Sequence, residues 1–512
     1  MKLPRVLLLL ATSILLVIMS SASAGASDEV EMAVTLMESG KIDPAYLILE
    51  SVLDEDPDNV AANVAMGRAM IVYNEMDEAS GYLEKAVELD PENASANLYN
   101  GVALYYRGRE AVDAGKVSGY VASLFKEARI SLVKSLSIDP GNVEAYQFLG
   151  LVAYWQQDFA TAIEALKKGI EIDPADAFCH FQLGEVYRSQ QNYDNAIPAY
   201  AKAIEVEEAY LEAYRMMGLC HELKGEATEA EKAYADAIRL APDQLDAFKD
   251  MWRLYGDEEK LKKGVTAMEK LRRQLPEAYA VHWYLAHFYA RSGQNTKAIR
   301  SFDKVLELNP AAINVYLESG RALAADGKLE EAVKRLQKGL ELQLAENVIV
   351  VPEESECFTE LLDLSGRLGD GGKFRPAEKL LLELREMAPE SGFVWNNLAL
   401  VYRDWGKYQK SLETYTKAAE LSPFDAQILN DYAVVLDYHF NRVEEAFSLY
   451  KKAVEIDENV DALENLSRFY LRSGQFEEAV RMADRGLRLQ PNRMALRNYK
   501  RRAEQKLGLG GN

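Results

Sequence analysis

An all-α solenoid of stacked helical hairpins is predicted by three features of the sequence. Apolar residues recur at helical spacing in paired segments, as in 143–156 and 159–171. The pairs return at a period of roughly 34 residues, with Gly or Ala at matching places in each. Proline stands between pairs, for example at Pro57, Pro91, Pro174, Pro242, Pro310 and Pro423, where it cannot continue a helix. A single hairpin of this size cannot bury its own apolar face, so copies must stack.

The stretch Val143 to Pro174 sets the register. With Val143 as position 1, Tyr146 is position 4, Leu149 and Gly150 are 7 and 8, Ala162 is 20, Leu166 is 24 and Pro174 is 32. Gln157 and Asp158 form the polar break between its helices, and Gly150 and Ala162 are small where those helices approach. This pattern resembles the tetratricopeptide repeat, which runs aromatic, Leu-Gly, Tyr, then Ala, aromatic, Ala and Pro. The resemblance implies a right-handed superhelical solenoid of helix–turn–helix units.

Taken in order, the first unit spans about 26–57, with Ala33, Ala45 and Val52 at its small positions. The second has Gly67, Ala79, Leu83, Ala86 and Pro91 in register. The third has Gly101, but Pro140 stands 15 residues beyond its expected place at 125. The surplus falls in 107–124 and either lengthens both helices or projects as a loop. The fourth is the reference stretch. The fifth keeps Leu183, Gly184, Tyr187, Ala196, Tyr200 and Ala203, and the sixth Gly218, Ala230, Tyr234 and Ala237. The seventh is worn, with Trp252 at position 8 and Gly264 at position 20. The eighth keeps Leu285, Ala286, Tyr289, Ala298 and Phe302, and the ninth Gly320, Ala332, Leu336 and Gly339. Residues 345–352, AENVIVVP, are β-branched and do not read as helix, so they are expected to form a seam. The tenth unit is broken by Gly369 to Gly372 and recovers at Ala377, Leu381 and Leu384. The eleventh matches best, at Trp395, Leu398, Ala399, Tyr402, Tyr415, Ala418 and Pro423. The twelfth carries Ala433, Leu436, Ala446, Tyr450 and Ala453, and the thirteenth Leu466, Tyr470, Ala479, Gly486 and Pro491. Residues 493–507 read as a basic amphipathic capping helix. The organisation is thus a first array over 26–344 of about nine units, the seam, and a second array over 353–507 of about four units plus the cap.

Residues 1–24 read as a secretory signal peptide. Lys2 and Arg5 precede an apolar run from Val6 to Met19, and Ala22-Ser23-Ala24 is a small-residue cleavage pattern, with Ala24-Gly25-Ala26 as a second option. No other run is long and apolar enough to span a bilayer, so the mature chain is expected to carry no transmembrane segment and to be periplasmic or secreted. The formal net charge is −22, which argues against a nucleic-acid partner.

The resemblance places the ligand groove on the first helices, at positions 2, 5, 9, 12 and 13, where family members bind an extended peptide or a partner helix. Carried onto this chain, the early groove is aromatic: Tyr105 and Tyr106, Tyr154 and Trp155, Phe178 and Phe181, and Trp283. Arg188, Arg215, Lys249, Arg253 and Arg321 are nearby cations that could pair with a carboxylate on an acidic or C-terminal peptide. No three consecutive units carry the family's Lys/Asn, Asn and Lys/Arg clamp, so chaperone-tail binding is not expected. The late groove is polar, with Asn396 and Asn397, Asn430 and Asp431, and Glu464 and Asn465. It resembles the ladder of asparagines by which some family members hold a peptide backbone.

Chemistry beyond binding finds little support. Cys179-His180 and Cys220-His221 lie at different helical positions, roughly 10 Å apart in axial rise, and suit neither a metal site nor a disulfide. His282, His287 and His439 are isolated in sequence, and no nucleophile elbow, phosphate loop or zinc spacing occurs. Asn93 and Asn465 head Asn-x-Ser sites that matter only where exported proteins are glycosylated. The sequence therefore predicts no cofactor, no metal and no enzyme. It predicts an adaptor or scaffold for a protein or peptide partner, or alternatively a component of a polysaccharide synthesis, export or secretion machine.

Overall fold

The computed structural model describes residues 26–349 and 351–509, so the expected signal peptide lies outside the described residues. Among the described residues the chain is an all-α repeat solenoid, 81% helical, with 27 α-helices and no strand. First and second helices alternate along the sequence, closed by a single helix, Met494–Lys506. The described residues divide into two compact units, the first ending at Leu254 and the second beginning at Tyr255.

The first unit contains hairpins 1 to 6, numbered in chain order. They are Ala26–Glu38 with Ile42–Glu55, Val60–Tyr73 with Met76–Leu89, and Ala94–Asp113 with Ser118–Ile138. Val143–Trp155 with Phe159–Ile172, Ala177–Ser189 with Tyr193–Val206, and Leu211–Leu223 with Ala227–Leu240 follow. After each of hairpins 1 to 4 the same short motif starts the next hairpin: proline follows the second helix, and an Asn or Asp two residues later caps the next first helix. Asn59, Asn93 and Asn142 accept from the backbone N–H of Ala62, Ala96 and Ala145 at 3.0, 2.9 and 2.9 Å, and Asp176 accepts from Cys179 at 2.7 Å.

Inside each hairpin a small residue faces a large one. Gly150 leaves no room for a side chain, since a Cβ there would lie 2.7 Å from Leu166 Cγ. Gly184 stands in the same relation to the Tyr200 ring, at 2.6 Å. Leu83, Leu132, Leu166, Tyr200 and Tyr234, one in each of hairpins 2 to 6, are fully buried by this arrangement. The surplus residues of hairpin 3 lengthen both of its helices, to 20 and 21 residues, rather than forming a loop.

The second unit begins at Tyr255, the last residue of the seventh pair's first helix, Asp246–Tyr255. The pair's second helix is Leu261–Gln274. Hairpins 8 to 13 follow. They are Tyr279–Arg291 with Asn295–Leu308, Ile313–Ala325 with Leu329–Ala345, and Glu356–Asp370 with Phe374–Met387. The last three are Gly392–Asp404 with Tyr408–Leu421, Ala426–Phe440 with Val443–Ile456, and Val460–Arg472 with Phe476–Leu489. Between hairpins 9 and 10, where the seam is expected, Asn347 takes a left-handed conformation at φ 54°, and a short 3-10 turn, Pro352–Glu354, leads into Ser355; the two compact units meet in sequence at Leu254 and Tyr255 instead. Ser355 caps the next helix by accepting from Cys357 N–H at 3.1 Å.

In both units first helices touch the first helices of adjoining hairpins, as in hairpins 1 to 5 and 9 to 13, and no pair of second helices packs as closely. The first helices therefore line the inner side of each curved stack.

Candidate partner-binding groove

The first-helix face of unit one is where the expected aromatic groove falls, and its rings differ in fate. Tyr105 is buried at 6% exposure, which removes it from the groove. Lengthening of hairpin 3 brings Phe125 over it, and Phe148 of hairpin 4 closes the other side, with ring centroids 6.3 and 5.6 Å away. Its neighbour Tyr106 is exposed instead, edge-on to Phe148 at 6.0 Å. Trp155 is also largely spent: it stacks on Phe125 at 6.1 Å and carries the Arg109 guanidinium over its ring at 4.2 Å.

Tyr154, Phe178 and Phe181 remain half-buried on successive first helices. Tyr154 hydrogen-bonds the Ser189 hydroxyl at 2.9 Å, tying hairpin 4 to hairpin 5. Phe181 stacks on Tyr210 at 5.0 Å with an interplanar angle of 27°. A ring committed on one side still offers its other face, so these three are suited to a partner's apolar side chains.

The cations of this face are not free for a ligand carboxylate. Arg188 holds Glu185 bidentately, at 3.0 and 2.6 Å, and Glu185 also accepts from the Tyr200 hydroxyl. Burial, reinforced by that carboxylate, pushes the Tyr200 hydroxyl well above the usual tyrosine range. Arg215 donates to the buried Asp250 at 2.8 Å, and Lys249 pairs with Asp246 at 3.0 Å. Arg253 bridges Glu222 and Asp250 at 3.0 and 2.9 Å. In the second unit Arg321 is held by Glu356 and Glu360 at 2.9 and 2.6 Å. A charged pocket for an acidic tail is therefore absent at these cations, because the chain's own carboxylates occupy their donors.

In unit two Trp283 donates its indole N–H to Glu318 at 2.6 Å, and His287 reaches the same carboxylate at 3.2 Å. The expected asparagine ladder is turned inward. Asn396 and Asn430 are buried, at 7% and 2% exposure, and do not present their amides to a peptide. Asn430 Oδ1 accepts from Asn465 Nδ2 at 3.0 Å, while Asn397 donates to Phe393 O one turn back at 2.9 Å. Next to them Asp437 is buried and accepts from Arg468 at 2.6 Å. These groups join hairpins 12 and 13 to each other.

Many of these links join residues 35 apart, one unit plus one residue: Tyr154–Ser189, Arg215–Asp250, Trp283–Glu318, Arg321–Glu356 and Asn430–Asn465. Sequence reasoning named the cations but not their acceptors. Comparing each groove residue with the one 35 positions later would have found them.

The three cysteines are free and buried. Among the described residues no group of His, Cys, Asp and Glu is arranged to hold a metal ion, and no helix is long and apolar enough to cross a membrane.

Four family models, each described as the tetratricopeptide repeat, match this chain. They cover residues 36–100 and 439–499, 181–244, 253–313 and 289–343, 393–425, and 143–176, together more than half of the sequence. No curated protein matches. Among solved structures, MamA is similar at 28% identity over 36% of this chain and 92% of that one, with a TM-score of 0.30. A thermophilic TPR protein in Thermus thermophilus is similar at 20% identity over 37% of this chain and 95% of that one, at 0.33. The APC/C hetero-tetramer Cut9–Hcn1 is similar at 12% identity over 95% of this chain and 98% of that one, at 0.30.

Proposed function

The chain belongs to the tetratricopeptide-repeat proteins, and we propose that it is a non-catalytic scaffold gripping a partner peptide or helix along the first helices of hairpins 4 and 5. The observation that carries this reading is the row of half-buried rings Tyr154, Phe178 and Phe181, on a face whose cations are neutralised from within. Such a row favours an apolar or aromatic partner segment over an acidic one. Large rings supply contact area at low entropic cost, and each loses little on desolvation.

Export is part of the proposal. The basic, apolar and small-residue succession at the amino terminus would direct the scaffold to an envelope or secreted assembly, and mass measurement of the mature protein should place its first residue after Ala24 or close to it. The binding claim is tested by capturing partners with the wild type and with a Tyr154→Ala, Phe178→Ala, Phe181→Ala variant of equal helicity. A protein retained by the wild type and lost by the variant supports the groove. Identical protein partners on both would remove function from these rings. Retention of purified polysaccharide with no protein partner would assign the chain to polysaccharide machinery instead.

A further inference from the structure

In a chain with 81 acidic and 59 basic residues, cations are expected to find carboxylates, and on the first-helix face they do. One cleft in the second unit departs from this. It lies between the end of the helix Leu261–Gln274 and hairpin 8, encloses about 500 Å³, and is walled by Arg272, Lys297, Arg300 and Lys304. Lys304 is answered by Glu277 at 3.4 Å and Glu307 at 3.0 Å. Among the described residues Arg272, Lys297 and Arg300 have no carboxylate within ion-pair distance. Lys297 instead bonds the Gln294 side chain at 2.9 Å and sits 5.2 Å above the Tyr289 ring. Glu269, the other nearby acid, is taken by the Tyr289 hydroxyl and by Arg273.

The floor is polar as well. His282 and Ser301 line the cleft and are buried, at 6% and 7% exposure. His282 Nε2 lies 2.9 Å from Pro276 O, and because a carbonyl only accepts, Nε2 carries the proton. Burial first, then Arg272 and Lys304, hold this imidazole below the ordinary histidine range, against the Pro276 bond and Glu277.

We propose that this cleft binds a tetrahedral oxyanion, a phosphate group. Arg272 from the helix Leu261–Gln274 and Lys297 and Arg300 from the helix Asn295–Leu308 bring three unpaired cations to one cleft, which suits the several oxygens of a phosphate better than the two of a planar carboxylate. A dianion also offsets more of the crowded positive charge than a monoanion does. Leu285 and the Tyr289 ring, also in the lining, could seat an apolar group carried on the phosphate. The site is distinct from the groove and stands whether or not the groove reading does.

The test titrates the whole chain with inorganic phosphate and with phenyl phosphate at low ionic strength, by calorimetry, while NMR follows the His282 titration. The proposal predicts saturable binding, weakened about ten-fold or more by Arg272→Gln with Arg300→Gln. Lys338→Gln, at an exposed lysine paired with Glu341 outside the cleft, should leave it unchanged. Bound phosphate should move the His282 titration to higher pH in the unaltered protein, a readout that needs no variant. Tighter binding of phenyl phosphate would indicate a phosphate ester as the ligand, and equal binding the free ion. Non-saturable uptake, equal weakening by Lys338→Gln, an unmoved His282 titration, or a glutamate-rich peptide that outcompetes phosphate would each overturn the assignment.

Discussion

Hairpins 4 to 6 in the first unit and hairpins 12 and 13 in the second connect neighbouring first helices by different chemistry. The earlier group uses rings. Phe181 of hairpin 5 stacks on Tyr210 at the start of hairpin 6, Tyr154 of hairpin 4 reaches Ser189 of hairpin 5, and the three rings stay half-exposed. The later pair uses amides and charge. Asn430 and Asn465 bond each other, and Arg468 neutralises the buried Asp437. An amide or ion pair satisfied from within has little left to offer a ligand, while a ring packed on one side keeps a second apolar face. A polar groove position is not a binding position once its donors are spent, which is why the proposed partner contact is assigned to the first unit.

The sharpest way to break this comparison is Arg468→Ala. It strips a buried carboxylate of its closest partner and should destabilise the second unit by about 3 kcal/mol, with Arg472 at 3.4 Å limiting the loss. Urea unfolding should show an early transition for that unit and no loss of partner capture. Phe181→Ala should cost the first unit less, about 2 kcal/mol for a half-buried ring, and should lose the partner. A variant that kept the partner would erase the contrast between the two regions.

Asp431 supplies a smaller effect with a defined sign. Burial holds its carboxyl above the ordinary value of 3.8, against the hydrogen bonds from Gln427 and Asn430. The native state therefore keeps the proton over a window, from 3.8 upward, where the unfolded chain has released it, and stability falls as pH rises through that window. Asp431→Asn removes this loss. Its advantage over the wild type in urea should grow as pH rises from about 4 and then level off.

The smallest expected change concerns the turn inside hairpins 4 and 5. Gln157 and Gln191 occupy left-handed backbone at φ 60° and 59°, where hairpins 6, 8 and 9 place Gly225, Gly293 and Gly327. Gln157→Gly should stabilise hairpin 4 by about 0.5 kcal/mol in thermal or urea unfolding, since relief of left-handed strain narrowly exceeds the entropy cost of glycine.

The fold was legible because its determinants are local. Pro57, Pro91 and Pro174 end one helix, while Asn59, Asn93 and Asp176 start the next within two residues. Gly150 and Leu166 are 16 residues apart and sit in one hairpin. The surplus in hairpin 3 could be counted but not placed, since 107–124 has turn residues and helix formers alike. The groove was half-legible. Its positions follow from the repeat, but exposure at each is decided by a residue in the next unit. Tyr105 carries no local sign of burial, because Phe148 lies in hairpin 4. The neutralised cations were within reach, since Arg215 and Asp250, like Arg321 and Glu356, stand 35 residues apart.

Site-specific photo-crosslinking in the native host reads out which helices the partner touches. A photoreactive phenylalanine analogue would replace Tyr154 or Phe178 on the first helices. It would replace Ile130 or Val133, exposed on the second helix of hairpin 3, as the comparison. One shared protein adduct is expected from both first-helix positions and none from Ile130 or Val133. The same adduct from the second-helix positions, with none from Tyr154 and Phe178, would contradict it.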